Sequence, residues 1–229
     1  MKNLRVFSQN IWKNKFLTDI LLEINKNFDI ILIQESLWSN LCSIPSLLSK
    51  KGEKIVRAPN HPNLVTFSRT SSNDNDNPHV ISYINICLIS LCFSLWKDTF
   101  NYRDICCFYF FNNSNIFFLL NLYSDSNQSA LKYLKNTEAN ICNVLIMTGD
   151  FNIRDSDWDQ NYSFHFVYSD LLLDVANAFN LFFSHHTHPF PTRYINNSEN
   201  FNLVIDLIFL WPNYSPWTMI FFRLCSLSC

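Results

Sequence analysis

The sequence predicts an α+β fold in which two β-sheets pack face to face with helices on the outside. Short apolar, β-branched runs recur along the chain, a few segments carry apolar residues at helical spacing, and no long linker separates the two kinds. Runs such as Ile30-Ile31-Leu32-Ile33 and Val144-Leu145-Ile146-Met147 are apolar on both faces. Each therefore needs cover on two sides, which stacked sheets with outer helices supply.

In chain order, the first strand is expected over residues 4–9. Leu17, Ile20, Leu21 and Ile24 set a helix over 14–26, and a second strand follows at 29–33. Residues 39–49 read as a helix broken at Pro45, and strands are expected at 54–57, 63–68, 79–95, 104–111 and 115–122. The polar run Ser71-Ser72-Asn73-Asp74-Asn75-Asp76-Asn77-Pro78 is rich in turn formers and reads as an exposed loop. Ser126 is expected to cap a helix over 127–140, with a strand at 144–148 after it. Ser169 is expected to cap a helix over 169–180 that turns Leu172, Val175, Ala176 and Phe179 to one side, and the last strand covers 203–210. No internal repeat of solenoid length is present.

Composition narrows the class. The chain has 229 residues, 48% apolar and 16% charged, with net charge −2, which excludes wholesale disorder and fits one sizeable domain. A chain of this length buries about 70% of its unfolded surface and needs no disulfide to fold. Two glycines against 22 phenylalanines point to nucleotide bias in the gene, so the aromatic content carries little functional weight. Residues 1–103 hold 12 Lys+Arg against 8 Asp+Glu, and residues 104–229 hold 5 against 11, giving +4 and −6. Neither half is basic enough to hold nucleic acid by charge alone; a local basic patch or a bound cation would be needed. The eight cysteines lack metal-ligand spacing, and the first residues lack an apolar secretory core, so an intracellular, reducing setting is expected. The 17 uncharged residues 80–96 include Ser82, Asn85, Ser90 and Ser94 and read as buried strand, not membrane span.

Five apolar runs lead to polar residues that suit one kind of chemistry. These are Asn10, Glu35, Tyr123, the Asp150-Phe151-Asn152 step, and Asp206. If the strands end at a common edge, these residues converge there. Three carboxylates and two amides are hard oxygen donors that suit Mg²⁺ or Mn²⁺ and not zinc. Such a cation bridges to phosphate oxygens in transfer to water. Gly149 precedes Asp150, where a sharp strand exit favours a residue without Cβ. Singly, each of these has a plainer reading as a turn or packing residue.

Ser8-Gln9-Asn10, Asp29-Ile30-Ile31-Leu32-Ile33-Gln34-Glu35, Asn121-Leu122-Tyr123, Thr148-Gly149-Asp150-Phe151-Asn152 and Ile205-Asp206 together resemble the endonuclease/exonuclease/phosphatase superfamily, in family order from residue 4 to about 210. Residues 149–159 with Trp158-Asp159, and the pair Thr192-Arg193, look most like endonuclease domains of non-LTR retrotransposons of fungal type. The resemblance implies a deoxyribonuclease I-like four-layer α/β/β/α sandwich over residues 1–210 that cleaves phosphodiesters with Mg²⁺. It implies DNA as substrate and a nuclear setting if active, and it allows a reverse transcriptase module in the parent element, absent here. By position Glu35 would hold the metal with help from Asn10, Asp150 would orient or deprotonate the water, and Asn152 would contact the scissile phosphate. Tyr123 would donate to a phosphate or leaving-group oxygen, and Asp206 would orient a histidine that stabilises the transition state.

The family pattern closes with Ser-Asp-His, but no histidine follows His188, and residues 211–229 do not resemble the family ending. The last strand is therefore expected to be degraded and activity impaired. The alternatives are a non-catalytic remnant that keeps the fold and a small-phosphoester phosphatase of the same superfamily. His185, His186 and His188 read as exposed loop residues, and Asp155, Asp157 and Asp159 as a solvated turn at the edge of the site.

Overall fold

Period-two alternation builds the sandwich. In β1 (Val6–Asn10) Val6 faces one side and Phe7 the other, and in β2 (Ile30–Gln34) Ile30 and Leu32 oppose Ile31 and Ile33. These two strands pair in parallel through the crossover helix α1 (Lys15–Glu23), whose start is capped where Asn14 Oδ1 accepts the Leu17 N–H at 3.1 Å. The computed structural model describes residues 4–23, 28–44, 53–68, 77–91, 93–95, 100–112, 115–137, 144–159, 163–184 and 206–211. Strands β3 (Ser39–Ile44) and β4 (Glu53–Arg57) pair antiparallel with each other as a separate two-stranded sheet. With β5 (Leu64–Phe67) and β6 (Val80–Asn85), the first large sheet has the order β1-β2-β6-β5.

The second large sheet contains β7 (Ser94–Leu95), β8 (Ile105–Asn112), β9 (Asn115–Tyr123), β10 (Val144–Asp150), β11 (Phe182–Phe183) and β12 (Asp206–Leu210), in the order β11-β12-β10-β9-β8-β7. Helix α2 (Ser129–Asn136) carries the parallel crossover from β9 to β10, and α3 (Val167–Ala178) follows β10. Three apolar layers result. Leu21 and Leu22 of α1 pack on Phe7, Phe28 and Ile31 outside the first sheet. Leu131 and Leu134 of α2, with Leu172, Val175 and Ala176 of α3, cover Leu120, Leu122 and Met147 outside the second. Val6, Ile30, Leu32 and Ile84 meet Phe108, Phe110, Leu119 and Ile146 between the sheets. A bulge between Val144 and Ile146 turns both Leu145 and Ile146 into this middle layer. Helix, sheet, sheet, helix is the four-layer order expected from the sequence.

Several local expectations are corrected. Residues 39–44, expected as the start of a broken helix, form a strand because 53–57 offers a pairing partner; residues 45–50 lie outside those described. The expected strand 79–95 ends at Asn85, whose Oδ1 accepts the Cys87 N–H at 3.1 Å and turns the chain into a 3₁₀ segment, Ile86–Leu91. Ser126 caps nothing: Asp125 Oδ1 accepts the Ser129 N–H at 2.8 Å instead. Ser169 lies buried inside α3, and Asp155 Oδ2 accepts the Phe166 N–H at the start of that helix at 2.9 Å. Of the acidic series expected as a solvated turn, Asp155 and Asp159 are buried and only Asp157 is exposed. Pro78, at the end of the polar run expected to be exposed, is buried; residues 71–76 lie outside the described set. Among the described residues no helix is long and apolar enough to cross a membrane.

Candidate active site

The inward-facing positions change character along the strands. Val6 is followed by Ser8 and Asn10, Leu32 by Gln34, Leu119 by Asn121 and Tyr123, and Ile146 by Thr148 and Asp150. The middle layer is thus apolar at one end and polar at the other. Alternation forces this, because every second residue of a strand enters the same layer. Thr148 Oγ1 meets Ser8 Oγ at 3.0 Å across the sheets, and Gln34 Nε2 donates to Ser8 Oγ at 3.1 Å. The Asn121 side chain leaves the second sheet and bonds the first: its amide donates to the Ile81 carbonyl at 3.1 Å, the Ile33 carbonyl at 3.3 Å and Ser82 Oγ at 3.2 Å, while its oxygen accepts from Gln34 Nε2 at 2.6 Å.

At the polar edge, Asn10 Nδ2 donates to Glu35 Oε1 at 3.1 Å and also to Asp150 Oδ2. One amide group therefore ties a carboxylate of the first sheet to a carboxylate of the second. The Asn10 oxygen accepts the Trp12 N–H at 2.8 Å, so in this arrangement Asn10 positions the carboxylates, and ligation through its oxygen requires an amide flip. Asp150 Oδ1 accepts the Asn152 N–H at 2.9 Å, and Asn152 Nδ2 donates to the Ser124 carbonyl at 2.8 Å. Tyr123 hydrogen-bonds Glu35. Burial, reinforced by the negative charges of Glu35, Asp150 and Asp104, pushes its hydroxyl up to about 12, so it keeps its proton at neutral pH.

Glu35 (φ 46°) and Asn152 (φ 50°) both adopt left-handed backbone, which costs a side chain such as Glu about 1–2 kcal/mol. Such conformations concentrate where geometry serves chemistry. Gly149 differs from the sequence expectation. It lies within β10, between Leu122 and Leu207, and its missing Cβ makes room for the Leu122 carbonyl of the adjacent strand.

Asn10, Glu35, Tyr123, Asp150 and Asn152 are thus joined by hydrogen bonds or direct succession. Asp206 is the register partner of Asp150 on β12, with its side chain outside the described set. His185, His186, His188, Thr192, Arg193 and residues 212–229 also lie outside it. Two carboxylates held together by an amide form an oxygen-only donor group that fits a hard divalent cation.

Sequence reading missed a second layer. The His79 ring lies tilted against the Tyr123 ring with centroids 4.7 Å apart, and its Nδ1 lies 2.8 Å from Asp104 Oδ1. Arg103 Nε donates to Asp104 Oδ2 at 3.1 Å. Burial alone would raise the Asp104 carboxyl, but the hydrogen bonds and charge of His79, with the charge of Arg103, outweigh it and hold the group below its ordinary value. His79 and Asp104 are the first residues of the expected strands 79–95 and 104–111, and neither belongs to a motif. Elsewhere, Asp155, Asp157 and His165 bring ligand atoms within 4.8 Å of one another. Asp155 is already used there, accepting the N–H groups of Asp157 and Phe166.

No protein-family model matches this chain, and no curated protein does. Among solved structures, the endonuclease domain of TRAS1, a telomere-specific non-LTR retrotransposon, is similar over 91% of this chain and 85% of its own, with TM-score 0.64 and 17% identity. An endonuclease/exonuclease/phosphatase family protein from Leptotrichia buccalis covers 89% of this chain and 85% of its own, at TM-score 0.48 and 12% identity. The first similarity carries the fold: the chain is a deoxyribonuclease I-like sandwich.

Proposed function

We propose that this chain is a divalent-metal-dependent phosphodiester hydrolase acting on DNA, an endonuclease of retrotransposon type. The observation that supports this reading best is the Asn10 amide joining Glu35 and Asp150 across the two sheets, with the protonated Tyr123 hydroxyl beside Glu35. Glu35 would hold Mg²⁺ or Mn²⁺, with Asn10 keeping its carboxylate in place and Asp206 near by register. When bound, such a cation offsets charge on phosphate oxygens.

The chain's own groups supply the rest. Asp150, fixed through both oxygens, orients the attacking water and takes its proton. Asn152 is held in left-handed backbone with its amide on the Ser124 carbonyl, and from there would contact the phosphate. Tyr123, whose raised pKa keeps its hydroxyl protonated, would donate a hydrogen bond to a phosphate or leaving-group oxygen. Residues 189–229 contain no histidine, so none of them supplies the donor that the resemblance pairs with Asp206. Loss of one such donor costs about 10²–10³ in rate, and turnover is accordingly slow.

Plasmid nicking with and without Mg²⁺, beside Glu35→Ala, tests this reading. Slow, metal-dependent nicking that vanishes in the variant is expected. No nicking by folded protein at high enzyme concentration, or equal nicking by the variant, would overturn it.

A further inference from the structure

A cleft of about 470 Å³ opens beside the carboxylate edge, lined by Lys13, Ser36, Trp38, His79 and Arg103, with Pro78 and its neighbours completing the wall. We infer that it is a phosphate subsite, which holds a second phosphate group of the nucleic acid next to the one being cleaved. The inference rests on the nucleic-acid reading above and names where the rest of the strand is gripped.

Position comes first. The Lys13 N–H donates to the Glu35 carbonyl at 2.7 Å, and Ser36 follows Glu35 in the chain. The Ser36 N–H donates to the His79 carbonyl at 3.1 Å, and the His79 ring lies against Tyr123. The cleft and the carboxylate edge therefore share a wall, so a strand whose one phosphate lies at Glu35 and Asp150 places its next within reach.

Charge comes second. Among the described residues, three basic side chains line the cleft and no carboxylate does. Asp104 sits behind them, buried, with one oxygen on His79 and the other on Arg103. That arrangement leaves net positive charge facing the cleft and aims both bases from a fixed anchor. The chain as a whole carries −2, and a nucleic-acid partner needs a local basic patch of this kind. Shape comes third. The volume falls within the roughly 300–1,000 Å³ of ligand pockets, and Trp38, pinned by its Nε1–H on the Pro78 carbonyl at 2.7 Å, gives the cleft a rigid apolar side for a sugar or base.

The bound group is either an internal phosphodiester or a terminal phosphate, and one experiment separates the two. A fluorescein-labelled 12-base-pair DNA duplex, with and without a 5′-phosphate, is titrated by anisotropy in Ca²⁺ from 50 to 200 mM salt. The proteins are wild type, Lys13→Ala, Lys13→Glu and Arg103→Gln. Each lost cation should weaken binding about tenfold at 0.1 M salt and reduce the salt slope by about 0.9. Loss regardless of the 5′-phosphate supports an internal phosphodiester, and loss only with it supports a terminal one. Lys13 is exposed, so its variants keep the test valid even if Arg103→Gln loosens Asp104. Wild-type affinity and slope in the Lys13 variants overturn the subsite. If wild type still nicks with Mg²⁺ in that case, the proposed function stands; if wild type neither binds nor nicks, both fall.

Discussion

Replacing Gly149 with alanine puts a methyl carbon 2.0 Å from the Leu122 carbonyl oxygen and 2.8 Å from its carbon, where 3.4 Å is ordinary contact. The obstacle is backbone, so no side chain can swing away. The β9 carbonyl would have to retreat by about 1.4 Å, the difference between 3.4 and 2.0 Å. Leu122 is also in register with Ile105 of β8, so the retreat disturbs pairing on both sides of β9. Overpacking costs about 1–3 kcal/mol, and each ladder hydrogen bond lost adds about 1 kcal/mol. A loss of about 3 kcal/mol or more follows, and at about 2–4 °C per kcal/mol in a chain of this size the melting midpoint should fall by about 6–12 °C. The neighbours of the clash are Tyr123 and Asp150, so any activity should fall by about 10²-fold for a misplacement near 1 Å. Thermal unfolding by circular dichroism and Mg²⁺-dependent nicking are the two measurements. A melting midpoint within 2 °C of wild type would refute the close approach of β9 and β10 on which the site geometry depends.

Other expectations are equally direct. Mg²⁺ should raise the melting midpoint by mass action, and Glu35→Ala should abolish that gain. Glu35→Gly should be more stable than Glu35→Ala by about 1 kcal/mol, since glycine accepts the left-handed backbone; equal stability would remove the strain argument. Asn121→Ala should cost about 3 kcal/mol by removing its four bonds to Gln34, Ser82 and the Ile33 and Ile81 carbonyls, and a urea midpoint near wild type would contradict the bonds drawn across the sheets. Asp104 titrates below its ordinary 3.8 when folded, so its contribution is complete above that value and disappears as the pH falls through the lower one. The stability gap between wild type and Asp104→Asn should therefore hold above about pH 4 and narrow as the pH falls below it; a gap that widens with falling pH would be the wrong sign. Asp155→Ala should cost about 2 kcal/mol, through the lost bonds to Phe166 and Asp157, without altering Mg²⁺ binding.

The legible parts of the sequence were those where one pattern had one physical solution. Two-sided apolar runs such as Ile30-Ile31-Leu32-Ile33 cannot be stable without cover on both faces, and the layers followed from that. Residues at the strand ends pointed to a shared edge, and that edge is built from both sheets, Asn10 and Glu35 on the first and Tyr123 and Asp150 on the second. The failures were places where a partner distant in sequence decided the outcome. Residues 39–44 became a strand through pairing with 53–57. Asp125 displaced Ser126 as a cap through geometry that composition does not carry. His79 and Asp104 lie 25 residues apart and meet only because β6 and β8 begin beside one another. Gly149 was singled out correctly but for another reason, a neighbour 27 positions earlier in the chain.

Asn121 behaves as a locating pin between two plates. Apolar sheet faces resist separation but offer little to fix where one lies over the other, because many offsets bury nearly the same area. One residue of offset along a strand is about 3.3 Å. An offset that small would carry Glu35, on the first sheet, beyond hydrogen-bond reach of anything held by Asp150 on the second. Bonds from Asn121 to carbonyls on β2 and β6 can be made at a single offset, so the alignment of the two carboxylates is set about two residues inside the edge where they are used.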